Sequence, residues 1–258
     1  MKCCIAGTVR HCGKYLLQIF NNMEKIGSLF EDYVIILYYD KSSDNTLHIL
    51  KEYQVTHPKL IIYINSEPLL QYRTHRIALG RNKCLEIMRR EYSTYEYFIM
   101  MDCDDRCAFN IKLNLLNAYL LRNDWDSLSF NHPSGYYDSW ALSIRPYMLS
   151  CHSFNNPAAG INLITVLIKN TPKHKLIKCW SAFNGFAIYR TAKFINCYYN
   201  GEFKLDYIPT KLIQENMLCS GAAIINGKAQ DCEHRFFHIN AVLKNNARIR
   251  ISPLCLFK

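Results

Sequence analysis

Several motifs that would identify a nucleotide- or metal-binding protein are missing from this sequence. No G-x-G-x-x-G follows its first hydrophobic segment and no G-x-x-x-x-G-K-[ST] occurs anywhere, so neither a dinucleotide-binding fold nor a P-loop is supported. The 12 cysteines include no C-x-x-C pair, which argues against a zinc finger or a disulfide framework. We expect most of them to be reduced, packed thiols.

Long apolar runs and flexible linkers are also missing. No window approaches the roughly 20 apolar residues that a membrane-spanning helix needs. Arg10, His11 and Lys14 interrupt the apolar stretch at the amino terminus before it could act as a signal peptide. We therefore expect a cytoplasmic protein without a transmembrane segment. Because no repeat, low-complexity tract or Pro/Gly/Ser-rich linker occurs, we predict a single domain over residues 1–258.

Acidic residues are scarce relative to basic ones. The chain has 31 Lys and Arg against 21 Asp and Glu, a formal charge of +10. This excess favours an anionic partner, which could be a nucleic acid, a membrane surface or a phosphorylated small molecule. The one dense basic run extends from Ile168 to Lys178, and a solvated loop explains it as well as a binding role does.

Hydrophobic and amphipathic segments alternate along the first 105 residues. This alternation predicts parallel crossovers and an α/β doubly wound sheet. The predicted strands are Lys2–Val9, Tyr33–Asp40, Lys59–Asn65 and Tyr95–Met101, and the clearest helices are Gly13–Lys25 and Arg76–Arg90.

Three carboxylates follow directly on the fourth predicted strand, at Asp102, Asp104 and Asp105. They would repel one another, and burying them is costly unless a cation lies between them. The carboxyl end of a parallel strand is where open α/β sheets bind ligands. A solvated turn that caps the next helix is the alternative interpretation.

One arginine lies on the apolar face of the predicted helix Arg76–Arg90. At 100° per residue, Arg81 shares this face with Cys84 and Leu85. An arginine among core residues needs a carboxylate or phosphate partner. A buried ion pair with a strand-end aspartate and a contact to an anionic ligand both place Arg81 beside the carboxylate cluster.

Six segments of the chain resemble motifs of the GT-A fold glycosyltransferases. In order, they are YYDKSSDNT, RIALGRN, YFIMMDCDD, GYYDSWALSIR, WSAFNGFAIYR and DCEHRFFH. The similar branch occurs in bacterial and giant-virus proteins and is distantly similar to fungal capsule mannosyltransferases. The resemblance covers nearly the whole chain. It implies a mostly parallel central sheet flanked by helices, with a nucleotide-sugar donor half at residues 1–105 and an acceptor half at 106–258.

The resemblance also implies roles for particular residues. A divalent cation, Mn²⁺ or Mg²⁺, would be bound by Asp102 and Asp104, with His234 or His238 as a further ligand and Asp105 in support. The two histidines share a face on a helix or a strand, and both could equally be structural. Donor binding would involve Thr8, Val9, Asp40, Arg76, Arg81 and Asp102.

The remaining motifs are assigned to the acceptor side. Glu233 is the first candidate for a general base, with Asp138 and Glu215 as rivals. Acceptor binding would involve Tyr136, Tyr137, Trp140, Asn184 and Gly185. The aromatic residues could equally be core residues, and Asn184-Gly185 a tight turn between two strands. Residues 146–178 would form a mobile flap whose lysines close over the diphosphate.

These assignments predict a metal-dependent glycosyltransferase. It would move a sugar from a UDP- or GDP-sugar to a glycan or protein-linked hydroxyl. A catalytically silent nucleotide- or carbohydrate-binding module with the same fold is the alternative. We expect no nucleic-acid partner, because the aromatic residues do not interleave with basic ones in an RNA-binding motif. A homodimer is left open.

Overall fold

The computed structural model describes residues 1–149, 158–220 and 229–258. Within these residues, eight strands form one mixed sheet. The strands are β1 (Lys2–Val9), β2 (Asp32–Tyr39), β3 (Leu60–Ile64), β4 (Tyr97–Met101), β5 (Ser127–Asn131), β6 (Ile177–Cys179), β7 (Phe186–Arg190) and β8 (Ile249–Cys255).

Helices cover the sheet and connect its strands. The α-helices are α1 (Leu16–Gly27), α2 (Thr46–Thr56), α3 (Arg73–Glu91), α4 (Leu113–Leu120), α5 (Ala159–Asn170), α6 (Thr191–Phe194), α7 (Thr210–Ser220) and α8 (Glu233–Asn245). Two 3₁₀ turns, Gly13–Tyr15 and Asp105–Cys107, precede α1 and follow β4. Helix α3 begins three residues before the predicted start.

The strand order is β3-β2-β1-β4-β7-β5-β8-β6. The first four of these strands are parallel, so Ile5 of β1 lies between Ile35 of β2 and Ile99 of β4 and their carboxyl ends meet at one edge. Strand β7 enters antiparallel between β4 and β5. The predicted α/β architecture with a mostly parallel sheet is confirmed.

Side chains of the central strands alternate between two cores. Ile5 packs on the side of α1, where Phe20 lies, whereas Ala6 packs on the side of α3, where Leu85 lies. Every residue of β4 is buried. Burial on both faces explains why these strands appear as continuous hydrophobic runs in the sequence.

Gly80 allows α3 to approach the sheet closely. A Cβ atom at this position would lie 2.5 Å from Tyr38 Cδ1 and 2.7 Å from Thr8 Cγ2. Because only glycine lacks the Cβ atom, α3 can lie this close to the ends of β1 and β2. The next residue, Arg81, is thereby held against the end of the sheet.

A buried asparagine joins α1 to the segment that follows β4. Asn22 Nδ2 donates hydrogen bonds to the carbonyl oxygens of Cys107 at 2.8 Å and Phe109 at 2.7 Å. Replacing Asn22 by Leu should lower the free energy of unfolding by about 1–3 kcal/mol, because both carbonyl groups lose a donor in a buried position. Chemical denaturation measures this change.

The matched control is Asn21→Leu, one residue earlier, where the asparagine is exposed. We expect Asn21→Leu to stay within about 0.5 kcal/mol of the wild type. Equal stability of the two variants would show that the Asn22 contacts do not hold the segment after β4.

Candidate active site

A cavity of about 270 Å³ lies at the carboxyl ends of β1, β2 and β4. This is where an open α/β sheet is expected to bind a ligand. It brings together six of the predicted site residues, which are Thr8, Val9, Asp40, Arg76, Asp102 and Asp104.

Asp40 forms one wall of this cavity and is only 6% exposed. Its Oδ1 accepts a hydrogen bond from Asn65 Nδ2 at 3.0 Å, and its Oδ2 lies 3.9 Å from Arg76 Nε. One carboxylate oxygen is thus held by Asn65, and the other faces the guanidinium group of Arg76. Asn65 was not singled out in the sequence, because it follows a different strand and its partner is distant along the chain.

Asp102 and Asp104 form the opposite wall. Burial raises the pKa of Asp102 to about 8, an effect that Arg81 opposes and that Asp104 and Asp138 reinforce. Burial also raises the pKa of Asp104. Asp104 Oδ1 accepts the backbone N–H of Arg106 at 3.0 Å, which fixes this carboxylate at the start of the 3₁₀ turn. Two carboxylates in this environment are stabilised by any cation that enters.

Arg81 is buried behind Asp102. It is 3% exposed, its Nη2 donates to Asp102 Oδ1 at 2.9 Å, and its Nη1 contacts Glu233 and His234. Its guanidinium carbon lies 4.7 Å from the centre of the Phe183 ring. Arg81 does not line the cavity, so this geometry does not support a direct contact between Arg81 and a donor bound there. It acts on the cavity through Asp102.

Arg73 is a cavity residue that the sequence analysis missed. It is exposed, lies in the first turn of α3, and makes no ion pair with any residue that the structure describes. Its charge lowers the pKa of Asp102 and Asp104 against the effect of burial. The predicted helix starts only at Arg76, so Arg73 is not among the predicted site residues.

The two leading candidates for a base do not line the cavity, but both interact with residues at its Asp102 wall, Glu233 with Arg81 and Asp138 electrostatically with Asp102. Glu233 begins α8, is 4% exposed and contacts Arg81, and burial raises its pKa. Asp138 accepts the backbone N–H of Ala141 at 3.2 Å, and burial raises its pKa also. A raised carboxylate pKa suits a base that works near neutral pH. The third candidate, Glu215, pairs with Arg145 at 2.9 Å on the surface.

The two histidines of α8 lie in the core. Both ring nitrogens of His238 are engaged, Nδ1 with Ser181 Oγ at 3.0 Å and Nε2 with Tyr189 Oη at 3.0 Å. His234 stacks on Phe183 with ring centres 3.8 Å apart. Burial and Arg81 lower the pKa of both histidines. This geometry does not support either one as a metal ligand.

No group of three or more His, Cys, Asp or Glu side chains in the described ranges is arranged to hold a metal ion. Of the three carboxylates that line the cavity, Asp102 and Asp104 lie together on one wall and Asp40 lies on the other, so a cation between Asp102 and Asp104 would have two protein carboxylates as ligands. Any cation bound there needs further ligands from a substrate or from water.

Asn184 and Gly185 form the tight turn that leads into β7. Their φ angles are 59° and 84°, in the left-handed region. Asn184 Oδ1 accepts the N–H groups of Tyr137 at 3.0 Å and Asp138 at 3.2 Å, and its Nδ2 donates to the Phe130 carbonyl at 2.9 Å. The amide oxygen accepts two hydrogen bonds and the amide nitrogen donates one, all inside the protein. This geometry favours a loop-positioning role for Asn184, and its assignment to the acceptor stays a prediction.

Gly185 has a positioning role of the same kind. Its carbonyl accepts the N–H of Asp102 at 2.8 Å, and a Cβ atom here would collide with the Tyr137 hydroxyl. Arg106 covers the Tyr137 ring, with 4.4 Å between the guanidinium carbon and the ring centre. The turn at residues 184–185 thus ties the aspartates after β4 to the loop that carries Asp138.

The aromatic residues assigned to the acceptor are mostly packing residues. Tyr136 is 6% exposed and belongs to the core, and Trp140 packs against the same core cluster. The Tyr137 hydroxyl is buried under the turn at Gly185. None of the three residues lines the cavity at the ends of β1, β2 and β4, and their assignment to the acceptor stays a prediction.

The basic run lies away from the cavity. Lys173 and Lys175 are exposed in the turn before β6, which forms the edge of the sheet opposite β3. Part of the predicted flap, residues 150–157, lies outside the described residues. Across the described ranges, no helix has the length and apolar character needed to cross a bilayer.

Comparison with solved structures shows the fold. The first 349 residues of TarS from S. aureus align with a TM-score of 0.52 and 17% identity, covering 100% of this chain and 60% of that one. The same protein in complex with UDP-GlcNAc aligns with a TM-score of 0.52 and 17% identity over 100% and 58%. The chain thus spans about 60% of the length of these structures. At this identity the similarity establishes the fold alone.

A search of the curated proteins found no match. The sequence profile of glycosyl transferase family 2 matches residues 8–194, from the end of β1 to α6. None of these comparisons tests the giant-virus branch or the fungal similarity, which stay predictions. The chain belongs to glycosyl transferase family 2 and has the GT-A fold.

Proposed function

We propose that the protein is a metal-dependent glycosyltransferase that uses a UDP- or GDP-sugar. The observation that carries this proposal is the pair of carboxylates, Asp102 and Asp104, whose pKa values are raised by burial at the end of the cavity. Membership of glycosyl transferase family 2 supports it. The proposed acceptor is a glycan or protein-linked hydroxyl. A cytoplasmic location and a homodimer stay predictions.

The donor set fits a hard divalent cation such as Mn²⁺ or Mg²⁺. Asp102 and Asp104 would hold it, because carboxylate oxygens are the ligands that these ions prefer. When bound, the cation neutralises the two carboxylates and the leaving diphosphate together. The oxygens of the diphosphate and water would complete its coordination.

The rest of the cavity suits a nucleoside diphosphate. Asp40, held by Asn65, offers a carboxylate oxygen to the base or ribose, and Thr8 and Val9 line the same side. Arg73 and Arg76 supply positive charge between this end and the aspartates. Arginine is well suited to phosphate oxygens because of its planar set of donors.

The base is one of two carboxylates, and their contacts distinguish them. Glu233 is paired with the buried Arg81, so its negative charge already has a protein partner. Asp138 has backbone N–H donors but makes no ion pair with any described residue. This difference favours Asp138 as the group that takes the proton of the acceptor hydroxyl. Glu233 would then hold Arg81 in place.

Metal-dependent nucleotide binding is tested first. With Mn²⁺, either UDP or GDP should raise the melting midpoint, by an amount equivalent to about 2.7 kcal/mol at 100 times the Kd. The shift should disappear with EDTA and in Asp104→Asn. Asp105→Asn is the matched control. Asp105 is exposed and does not line the cavity, which does not favour its expected support of the metal, so this variant should keep the wild-type shift. An undiminished shift in Asp104→Asn would remove the metal assignment.

Substitutions of two arginines of α3 should affect the stability of the protein and its nucleotide affinity separately. Arg81→Met should lower the free energy of unfolding by about 3–5 kcal/mol, because it leaves the buried carboxylate of Glu233 without its partner. Arg76→Met should weaken nucleotide affinity with little loss of stability, since Arg76 is partly exposed at the cavity. Denaturation and calorimetric titration of both variants measure the two effects. The reverse pattern would contradict this division of roles.

The identity of the base is tested by turnover. Asp138→Asn should lower kcat by at least about a hundredfold while donor affinity is kept. Glu233→Gln should lower stability and turnover together, because it disturbs Arg81 and, through it, Asp102. If Asp138→Asn turns over at the wild-type rate and Glu233→Gln is stable but inactive, Glu233 is the base.

A further inference from the structure

A second cavity, of about 200 Å³, lies in the acceptor half of the chain. None of its lining residues is among the predicted site residues. Its walls are Tyr198, Asn200, Lys204, Asp206, Tyr207 and Phe236, which we call the aromatic cup.

Three tilted rings form the cup. The ring centre of Phe236 lies 5.0 Å from that of Tyr198 at an interplanar angle of 48°, and 4.8 Å from that of Tyr207 at 59°. Phe236 is 8% exposed, whereas Tyr198 is 50% exposed. The rings therefore make a concave surface with a buried floor and an open wall. Core packing alone does not require so exposed a tyrosine beside a cavity.

One polar group with unused hydrogen-bonding capacity lies beside the rings. Asp206 is exposed and makes neither a hydrogen bond nor an ion pair with any residue that the structure describes. Asn200 Oδ1 accepts the N–H of Glu202 at 2.9 Å, and the Asn200 side chain also hydrogen-bonds the Glu202 carboxylate. The ammonium of Lys204 is paired with Glu202 at 2.6 Å. The cup thus offers one acceptor group, the Asp206 carboxylate, without a free cation.

We propose that the aromatic cup binds one neutral pyranose ring of the acceptor glycan. The C–H face of a pyranose packs on aromatic rings, whose faces are negative, and its hydroxyls both donate and accept hydrogen bonds. A phosphate or nucleotide would need a free cation, which the cup does not provide. A hydrophobic peptide would give the carboxylate of Asp206 no hydrogen-bond donor, whereas the hydroxyls of a sugar would.

The position of the cup relates it to the proposed reaction. Phe236 lies three residues after Glu233 on α8, and Tyr198 precedes Tyr199, whose ring centre is 5.7 Å from the guanidinium carbon of Arg81. Because no residue lines both cavities, the ring in the cup would be a sugar of the acceptor chain other than the one that reacts. This role rests on the proposed function, whereas saccharide binding by the cup does not.

Saccharide binding is tested without nucleotide or metal. The probes are the methyl glycosides of glucose, galactose, mannose and N-acetylglucosamine at millimolar concentrations, observed by saturation-transfer NMR. At least one should bind the wild type, and Tyr198→Ala should weaken its Kd by at least about tenfold, the loss of about 1.4 kcal/mol. Asp206→Asn should weaken it less. Phe109→Ala is the control, because Phe109 is also an exposed aromatic residue, at 44%, outside the cup.

Two results would overturn the proposal. One is that none of the four glycosides binds the wild type, and the other is that Tyr198→Ala binds them as the wild type does. The nucleotide titration reports separately on the donor cavity. Saccharide binding without any nucleotide binding would leave the cup in place and reject the transferase, whereas nucleotide binding without saccharide binding would reject only the cup.

Discussion

The site depends on one buried arginine side chain. Arg81 of α3 lies between Asp102, which follows β4, and Glu233, which begins α8, and it joins three elements that are far apart along the chain. Removing a guanidinium from water is costly, and two carboxylates offset that cost only when their geometry is fixed. Gly80 provides this geometry, because it lets α3 approach the ends of β1 and β2. The ion pairs of Arg81 therefore depend on how closely α3 packs against the sheet.

A second fixed point lies on the other side of Asp102. The turn at Asn184 and Gly185 receives the N–H of Asp102 and holds the N–H groups of Tyr137 and Asp138. Asp102 is thus oriented from two directions before any ligand binds. Burial raises the pKa of Asp102, so a cation that enters beside this carboxylate stabilises its charged form. Such preorganisation reduces the rearrangement that substrate binding would otherwise require.

The sequence predicted the features that follow from local periodicity. The strands that end near Asp40 and Asp102 are continuous hydrophobic runs because both of their faces are buried, and Arg81 was identified by its place on an apolar helix face. Long-range pairing was not predictable in the same way. The insertion of β7 beside β4, and the use of the Asn184 amide inside the protein, depend on contacts between distant segments. Aromatic composition likewise does not distinguish Tyr136, a core residue, from Tyr198, an exposed one.

The same limit explains why the histidines of α8 were ambiguous. A spacing of four places His234 and His238 on one face of a helix, but it does not say whether that face meets a metal or the core. In the structure Tyr189 and Ser181 satisfy both nitrogens of His238, and Phe183 covers His234. These contacts pack α8 tightly behind Glu233. Helix α8 therefore contributes to both places: Glu233 and His234 contact Arg81, and Phe236 forms the floor of the aromatic cup. One helix thus connects the buried ion pair behind Asp102 with the proposed saccharide site.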